Sequence, residues 1–361
     1  MSALRPAASR ATHLDRPELI RLMPSPPDPQ GSETGKSAGS HWRAGWVLTA
    51  WALAISAGAG VRPMEPRGFD QAAPGRRAEE EGLLLEAFTE AWASFIDSVS
   101  YPAGDTVLFL GGRAVYFKGG KMLGADRLSE QDSFEPILYE YPLGPLLDAR
   151  PAAGEPMYST DVLESLFGRT ESEIRQHGRR APFLDHRVFM NLATLESLAA
   201  VEADIRTIAE RDPELLTWLS EISVAYSFIA RDVAGTDSRS YHGWGFAIDL
   251  VPNSYRNKHV YWRWSRVFNR EGWANIPLDQ RWSPPQAAID VFERHGFIWG
   301  GKWSHFDTIH FEYRPDILLY NRLLARSRVG PTGATRDSPL RLRPPLAKRF
   351  PRPKRRALTT G

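Results

Sequence analysis

The chain has 361 residues, a 42% hydrophobic fraction and a net charge of +2, enough for one large or two modest domains with an ordinary core. It has no cysteine, which excludes disulfides and the thiolate ligands of most structural zinc sites. The charge is uneven: Arg326 to Gly361 holds eleven Lys/Arg against one Asp, a net of +10, which leaves about −8 on the rest.

Taken in chain order, residues 1–40 are rich in Pro, Ser, Gly and Arg and show no helical or strand period. Trp42-Arg43 then leads into an apolar run from Ala44 to Ile55, which ends in Ser56-Ala57-Gly58-Ala59. A basic flank, a short apolar run and an Ala-x-Ala ending match a secretory signal peptide. The run is short beside the roughly 20 residues of a spanning helix; an uncleaved N-terminal anchor is the other reading, and both export the rest of the chain. Residues 61–77 read as a linker. The spacing of Leu83, Leu84, Ala87, Phe88, Ala91, Trp92 and Phe95 predicts a helix over 79–99. Residues 106–122 read as a hairpin turning at Gly111-Gly112. Residues 139–154 are loop-rich, and 161–177 read as a helix with a solvated charged face.

Leu192, Leu195, Leu198, Val201, Ile205 and Ile208 form an apolar stripe that predicts a long helix over 183–212. Residues 215–221 continue helical. A strand is expected over 222–230, leading to Arg231, and a second over 246–251. The segment 260–273 is rich in aromatic residues. Residues 284–295 read as a helix with Pro near its start and Gly296 at its end. Gly300-Gly301 marks a tight loop, and a helix over 315–325 closes the folded part. This order of helices and strands suits an α+β domain better than a doubly wound one. The expected organisation is a leader with signal or anchor over 1–62, an N-terminal α/β extension over 63–165, a catalytic domain over 166–325 and a basic tail over 326–361.

Two stretches carry chemistry. The first is Ser240-Tyr241-His242-Gly243-Trp244-Gly245-Phe246-Ala247-Ile248-Asp249. Its strand is apolar on both faces except at Asp249, so that carboxylate is buried and needs a cation or a hydrogen-bond donor. A metal ion shared with His242 would satisfy it. The second runs from Trp303 to Tyr313 and alternates, with Thr308, His310 and Glu312 on one face and Ile309, Phe311 and Tyr313 on the other. It adds a second imidazole with an acid, Asp307, three residues before it.

Together the two stretches resemble the D-alanyl-D-alanine carboxypeptidase and VanY-like branch of the lysostaphin, carboxypeptidase and hedgehog superfamily. Ser240, His242, Gly245, Ala247 and Asp249 match the family's Ser-x-His-x-x-Gly-x-Ala-x-Asp motif. Asp307, His310, Phe311 and Glu312 match its second motif, with Gly300-Gly301 and Trp303 before them. The resemblance implies a small antiparallel sheet with flanking helices. It also implies zinc held by His242, Asp249 and His310, with Asp307 as general base and peptidoglycan stem peptides as substrate. An arginine after the strand preceding the first motif stabilises substrate in the family; Arg231 and Arg239 both compete for that place. His305 is a further catalytic candidate, as a replacement ligand, at the oxyanion or through water. Glu312 has an orienting or a substrate role open to it.

Three N/O ligands leave zinc a fourth position for water, whose pKa then falls to about 7. A rival reading keeps the zinc but only binds wall peptide or a protein partner. The basic tail, with Pro and no apolar period, is expected to be disordered. Outside the cytoplasm its natural partners are wall polymers or lipid headgroups; no nucleic-acid motif accompanies it, and no nucleic-acid partner is expected.

Overall fold

A computed structural model describes residues 74–102, 105–149, 158–229 and 239–329. The leader with its signal or anchor, Arg231 and residues 330–361 of the expected tail lie outside the described residues; residues 326–329, expected to begin that tail, are helical and extend the helix expected over 315–325. The described residues all belong to the unit Arg62–Gly361, and their architecture is α+β, as the order of predicted elements suggested.

The N-terminal part begins with helix α1 (Pro74–Ala91). Strands β1 (Ile96–Ser100), β2 (Thr106–Leu110), β3 (Arg113–Lys118) and β4 (Lys121–Gly124) come next, an antiparallel meander in chain order. The helix expected over 79–99 is therefore too long. Its last residues, Ile96 to Val99, are poor helix formers and with Ser100 instead pair with β2 through Val99↔Leu108 and Ser100↔Val107. The hairpin expected at Gly111-Gly112 is present as β2 and β3. Its buried side chains, Val107, Leu108, Leu110 and Val115, face the interior.

The helix expected over 161–177 is two helices, α2 (Asp161–Phe167) and α3 (Glu171–Gln176). Thr170 starts the second with a capping box: its hydroxyl accepts from the Glu173 N–H, and the Glu173 carboxylate accepts from the Thr170 N–H.

The long helix expected over 183–212 is also corrected. A hairpin, β5 (Gly178–Phe183) with β6 (His186–Asn191), occupies its first third. It turns at Leu184 and Asp185, both left-handed at φ 45° and 66°. Helix α4 (Leu195–Ala209) holds all of the apolar stripe except Leu192, and α5 (Pro213–Glu221) comes after it. Val188 and Met190 are buried at a two-residue step, a strand period that the leucine stripe masked.

The sheet that matters for function contains β7 (Ile222–Tyr226), β8 (Ala247–Pro252), β9 (Phe297–Trp299) and β10 (His310–Tyr313). Its strands are antiparallel, in the order β7-β8-β10-β9. Strand β7 stops at Tyr226, short of the expected residue 230. All six residues of β8 are buried, as a central strand requires. Strand β10 is shorter than its alternation suggested, and its polar face is buried too. Helix α7 (Gln286–Arg294) covers the apolar face: the Phe292 ring stacks on Phe311 at 3.8 Å and 20°. Helix α6 (Trp262–Phe268) lies between β8 and α7 in the chain, and α8 (Pro315–Val329) packs beside β9. Among the described residues no helix is long and apolar enough to cross a membrane.

The segment after the meander is stitched into this second sheet. The Tyr141 hydroxyl donates to Glu293 on α7 and accepts from the Trp299 N–H on β9 at 2.9 Å. The Lys302 ammonium, fully buried, donates to Glu293 and to the Pro142 carbonyl at 3.0 Å. Asn321 on α8 accepts from the Tyr141 N–H at 2.8 Å and donates to the Tyr139 carbonyl at 2.9 Å. Buried polar groups in this seam are thus met by partners, which keeps their desolvation cost down.

Candidate metal centre

The first motif is a short turn feeding β8. Ser240 caps a 3-10 turn over Tyr241–Trp244, its hydroxyl accepting from the His242 N–H at 3.4 Å. Gly245 then reverses the chain with φ +71°, and a Cβ there would meet the Asn191 N at 2.8 Å. A side chain is excluded by both the conformation and the space. The turn folds His242 back over β8, seven residues before Asp249 on the same sheet.

The second motif supplies the strand across the ladder. Asp249 on β8 pairs directly with His310 on β10, and Ala247 pairs with Glu312. Directly opposed residues on one face of an antiparallel pair bring their side chains together. Gly300 permits the approach to this strand: a Cβ there would lie 2.6 Å from the Asp307 carbonyl oxygen. That oxygen accepts from the His310 N–H at 3.3 Å, while the Asp307 N–H donates to the Gly300 carbonyl at 3.0 Å.

The result is a cluster of three buried ligand atoms from His242, Asp249 and His310. His242 Nε2 lies 3.1 Å from Asp249 Oδ1 and 3.2 Å from His310 Nδ1, and His310 Nδ1 lies 3.0 Å from Asp249 Oδ1. A tetrahedral ion with bonds of about 2.0–2.1 Å spaces its ligand atoms by about 3.3 Å, so the triangle has nearly the size of one face of such a site. Each imidazole is oriented from behind. His242 Nδ1 faces the Ser227 carbonyl and His310 Nε2 faces Glu312 Oε2 at 3.3 Å, which directs His242 Nε2 and His310 Nδ1 at the shared centre.

The electrostatics ask for a cation. Burial pushes the Asp249 carboxyl up, but the His242 and His310 rings beside it outweigh that and hold it well below the usual carboxylate range. Burial pulls the His310 imidazole down, but hydrogen bonds to Asp249 and Glu312 win and push it up to about 10. A group that keeps a proton this firmly between two carboxylates marks a place where positive charge is stabilised. Two nitrogens and one carboxylate oxygen, all buried and mutually within reach, fit a divalent ion with one position left open.

Behind His310 a charged relay continues. Glu312 Oε1 lies 3.5 Å from Arg314 Nη1, and Arg314 Nε donates to Asp316 Oδ1 at 3.0 Å. Arg314 Nη2 reaches the Ile137 carbonyl in the N-terminal part. Glu312, Arg314 and Asp316 are all buried. The sequence singled out Glu312, and the structure places it on His310. Arg314, Asp316 and the Ser227 carbonyl were missed. The alternation of charge at 312, 314 and 316 was a visible signal for the first two; a main-chain carbonyl leaves none.

Of the remaining candidates, Asp307 is positioned by its backbone beside His310, and its charge, with that of Asp249, acts on Tyr255. Arg239 places its guanidinium over the Trp244 ring at 5.2 Å. His305 is not one of the three clustered ligands. It packs between Trp262 and Trp273, at ring distances of 4.6 and 5.2 Å, with Nδ1 3.4 Å from the Ser304 hydroxyl. Burial, then the nearby Arg263 and Arg266 charges, pull its imidazole down to about 4. Trp303, which precedes the second motif, lies 5.2 Å from the His310 ring. Tyr226, paired with Asp249 across the sheet, had no signal in spacing.

Residues 234–313 match the family model described as D-alanyl-D-alanine carboxypeptidase. The match contains all three clustered ligands together with Asp307, and it bears out the resemblance read from the motifs. It supports a peptidase, and with the His242, Asp249 and His310 cluster a metal-dependent one. No curated protein and no solved structure matches the chain.

Proposed function

We propose that the chain is a zinc peptidase that hydrolyses peptidoglycan stem peptides, as a D-alanyl-D-alanine carboxypeptidase or a related endopeptidase. The observation that carries this reading is the convergence of His242, Asp249 and His310, with ligand atoms 3.0–3.2 Å apart, inside the matched residues. His242, Asp249 and His310 would hold zinc, which would supply Lewis acidity towards the scissile carbonyl and a water able to ionise near neutral pH. Asp307 takes the proton of the attacking water and hands it to the leaving amine. Glu312 keeps the His310 ring aimed and more basic. An arginine holds the substrate carboxylate: Arg231, outside the described residues, or Arg239 beside Trp244. In this proposal the enzyme is exported through the apolar run 44–55, and its basic tail touches anionic wall polymer or lipid.

The test is mass spectrometry of muropeptides digested by wild type and Asp307→Ala, with zinc content measured on both. Wild type is expected to release D-alanine or a new amine terminus, and the variant to keep its zinc while losing about 10²–10⁴-fold in rate. A wild type that carries zinc but cuts no muropeptide over several pH values would favour the alternative, a module that holds wall peptide or a partner without cutting it.

A further inference from the structure

Helix α6 turns apolar side chains outward. Its buried side is Trp262 and Ser265. Val267 and Phe268, at its end, are 74% and 71% exposed. Among the described residues they are the one pair of large exposed apolar side chains that adjoin in sequence. Arg263 and Val267 stand four apart on one row of the helix surface, and Trp264 and Phe268 on the next. Trp264 is half-buried, its ring edge-on to Tyr261 at 5.7 Å. A surface helix ordinarily sends apolar residues inward and polar ones to water, and α6 does not.

The charge around this pair has one sign. Residues 262–270 hold Arg263, Arg266 and Arg270 and no acid, the next being Glu271. Arg266 and Arg270 are exposed. The Arg263 and Arg266 guanidinium groups lie 5.0 and 6.0 Å from the Trp262 ring centre, which ties both to the helix. A second copy of this chain does not suit such a face, because an isologous contact sets like charges against each other. A dissolved anionic polymer meets the arginines but offers Val267 and Phe268 no apolar phase. An anionic bilayer meets both: its headgroups attract the arginines, and its acyl boundary takes the apolar tips.

We propose that the outer face of α6 seats the protein on an anionic lipid bilayer, with Val267 and Phe268 entering the acyl boundary and Arg266 and Arg270 at the headgroup phosphates. This docking is independent of the peptidase reading and of the basic tail. It also sets where the metal centre lies. Tyr261, just before α6, bridges Asp307, and the Trp262 N–H donates to the Phe306 carbonyl at 3.0 Å. A seated α6 therefore holds the second motif close to the membrane surface.

The chain has no cysteine, so Val267→Cys in the full-length protein places a single nitrobenzoxadiazole dye on this face. Leu216→Cys, at a position 57% exposed on α5, places the same dye elsewhere. Each is mixed with vesicles of phosphatidylglycerol and phosphatidylcholine, with vesicles of phosphatidylcholine alone, and with dextran sulfate. The dye at 267 is expected to brighten and shift to the blue with the phosphatidylglycerol vesicles only, and the dye at 216 to stay as in buffer. Phe268→Asp beside the dye is expected to abolish the change. Arg266→Gln with Arg270→Gln should raise the lipid needed for half the change about 25-fold, about fivefold for each charge. A dye at 267 that does not respond to phosphatidylglycerol, or responds equally to phosphatidylcholine or dextran sulfate, overturns the proposal. So does an equal response at 216, or a response that survives Phe268→Asp or is unmoved by the two glutamines. A change without lipid that grows with protein concentration marks a second copy on the face and overturns it as well.

Discussion

The matched stretch, residues 234–313, and the unmatched segment around the meander, residues 96–149, contribute to the same centre in different ways. The first brings every candidate ligand and the candidate base. The second brings no chemistry-bearing side chain to the cluster, yet its Ile137 carbonyl accepts from Arg314, which faces the Glu312 that aims His310. A motif thus names the atoms that touch the ion, while the atoms that hold them still come from wherever the chain supplies a buried acceptor. Orienting partners behind a metal ligand typically change metal affinity by 10–100-fold when removed, so the unmatched segment belongs to the site in energy even though it is absent from its motif.

Breaking the link between the two regions should have the largest effect. Arg314→Met leaves Glu312 and Asp316 buried without their cation, at a cost of about 3–5 kcal/mol. Zinc affinity is expected to fall with it, by about 10–100-fold, while Arg314→Lys recovers part of both. Chemical denaturation and competition with a chelator measure the two quantities; a Met variant with native stability and native zinc affinity would show that the relay is idle. A smaller effect is expected at the seam itself. Tyr141→Phe removes the donor to Glu293 and the acceptor for the Trp299 N–H, for a loss of about 1–3 kcal/mol. Zinc content should hold, because the Arg314 contact to Ile137 survives.

The smallest expected effect lies inside the matched stretch, at His305. Its imidazole titrates at about 4 in the fold against about 6.5 when unfolded. Between those values the unfolded chain binds the extra proton, so this contribution is complete above about pH 6.5 and is lost as the pH falls towards 4. After discounting for its partial exposure, about 1–2 kcal/mol is at stake. His305→Phe keeps the ring between Trp262 and Trp273 and should flatten that part of the Tm-against-pH curve. Parallel curves for the two proteins would mean that the imidazole titrates normally in the fold.

The features legible in the sequence divide along the same line. Asp249 was legible because a lone carboxylate in a strand apolar on both faces has few outlets. The pairing of Asp249 with His310 followed once both lay on strands of one sheet. The hairpin at 178–191 was not legible, because the leucines at 192, 195 and 198 extend a helical period backwards over residues that alternate. Ser227 was invisible for another reason: a backbone carbonyl is defined by what surrounds it, not by neighbours in sequence.

The bond from Arg314 to Ile137 joins positions 177 residues apart. Closing so long a loop carries an entropic cost and belongs among the slow, late events of folding. Both motifs can therefore be complete in a nascent or truncated chain while His310 still lacks the brace that aims it. A fragment trimmed to the two motifs would inherit the ligands and lose the alignment.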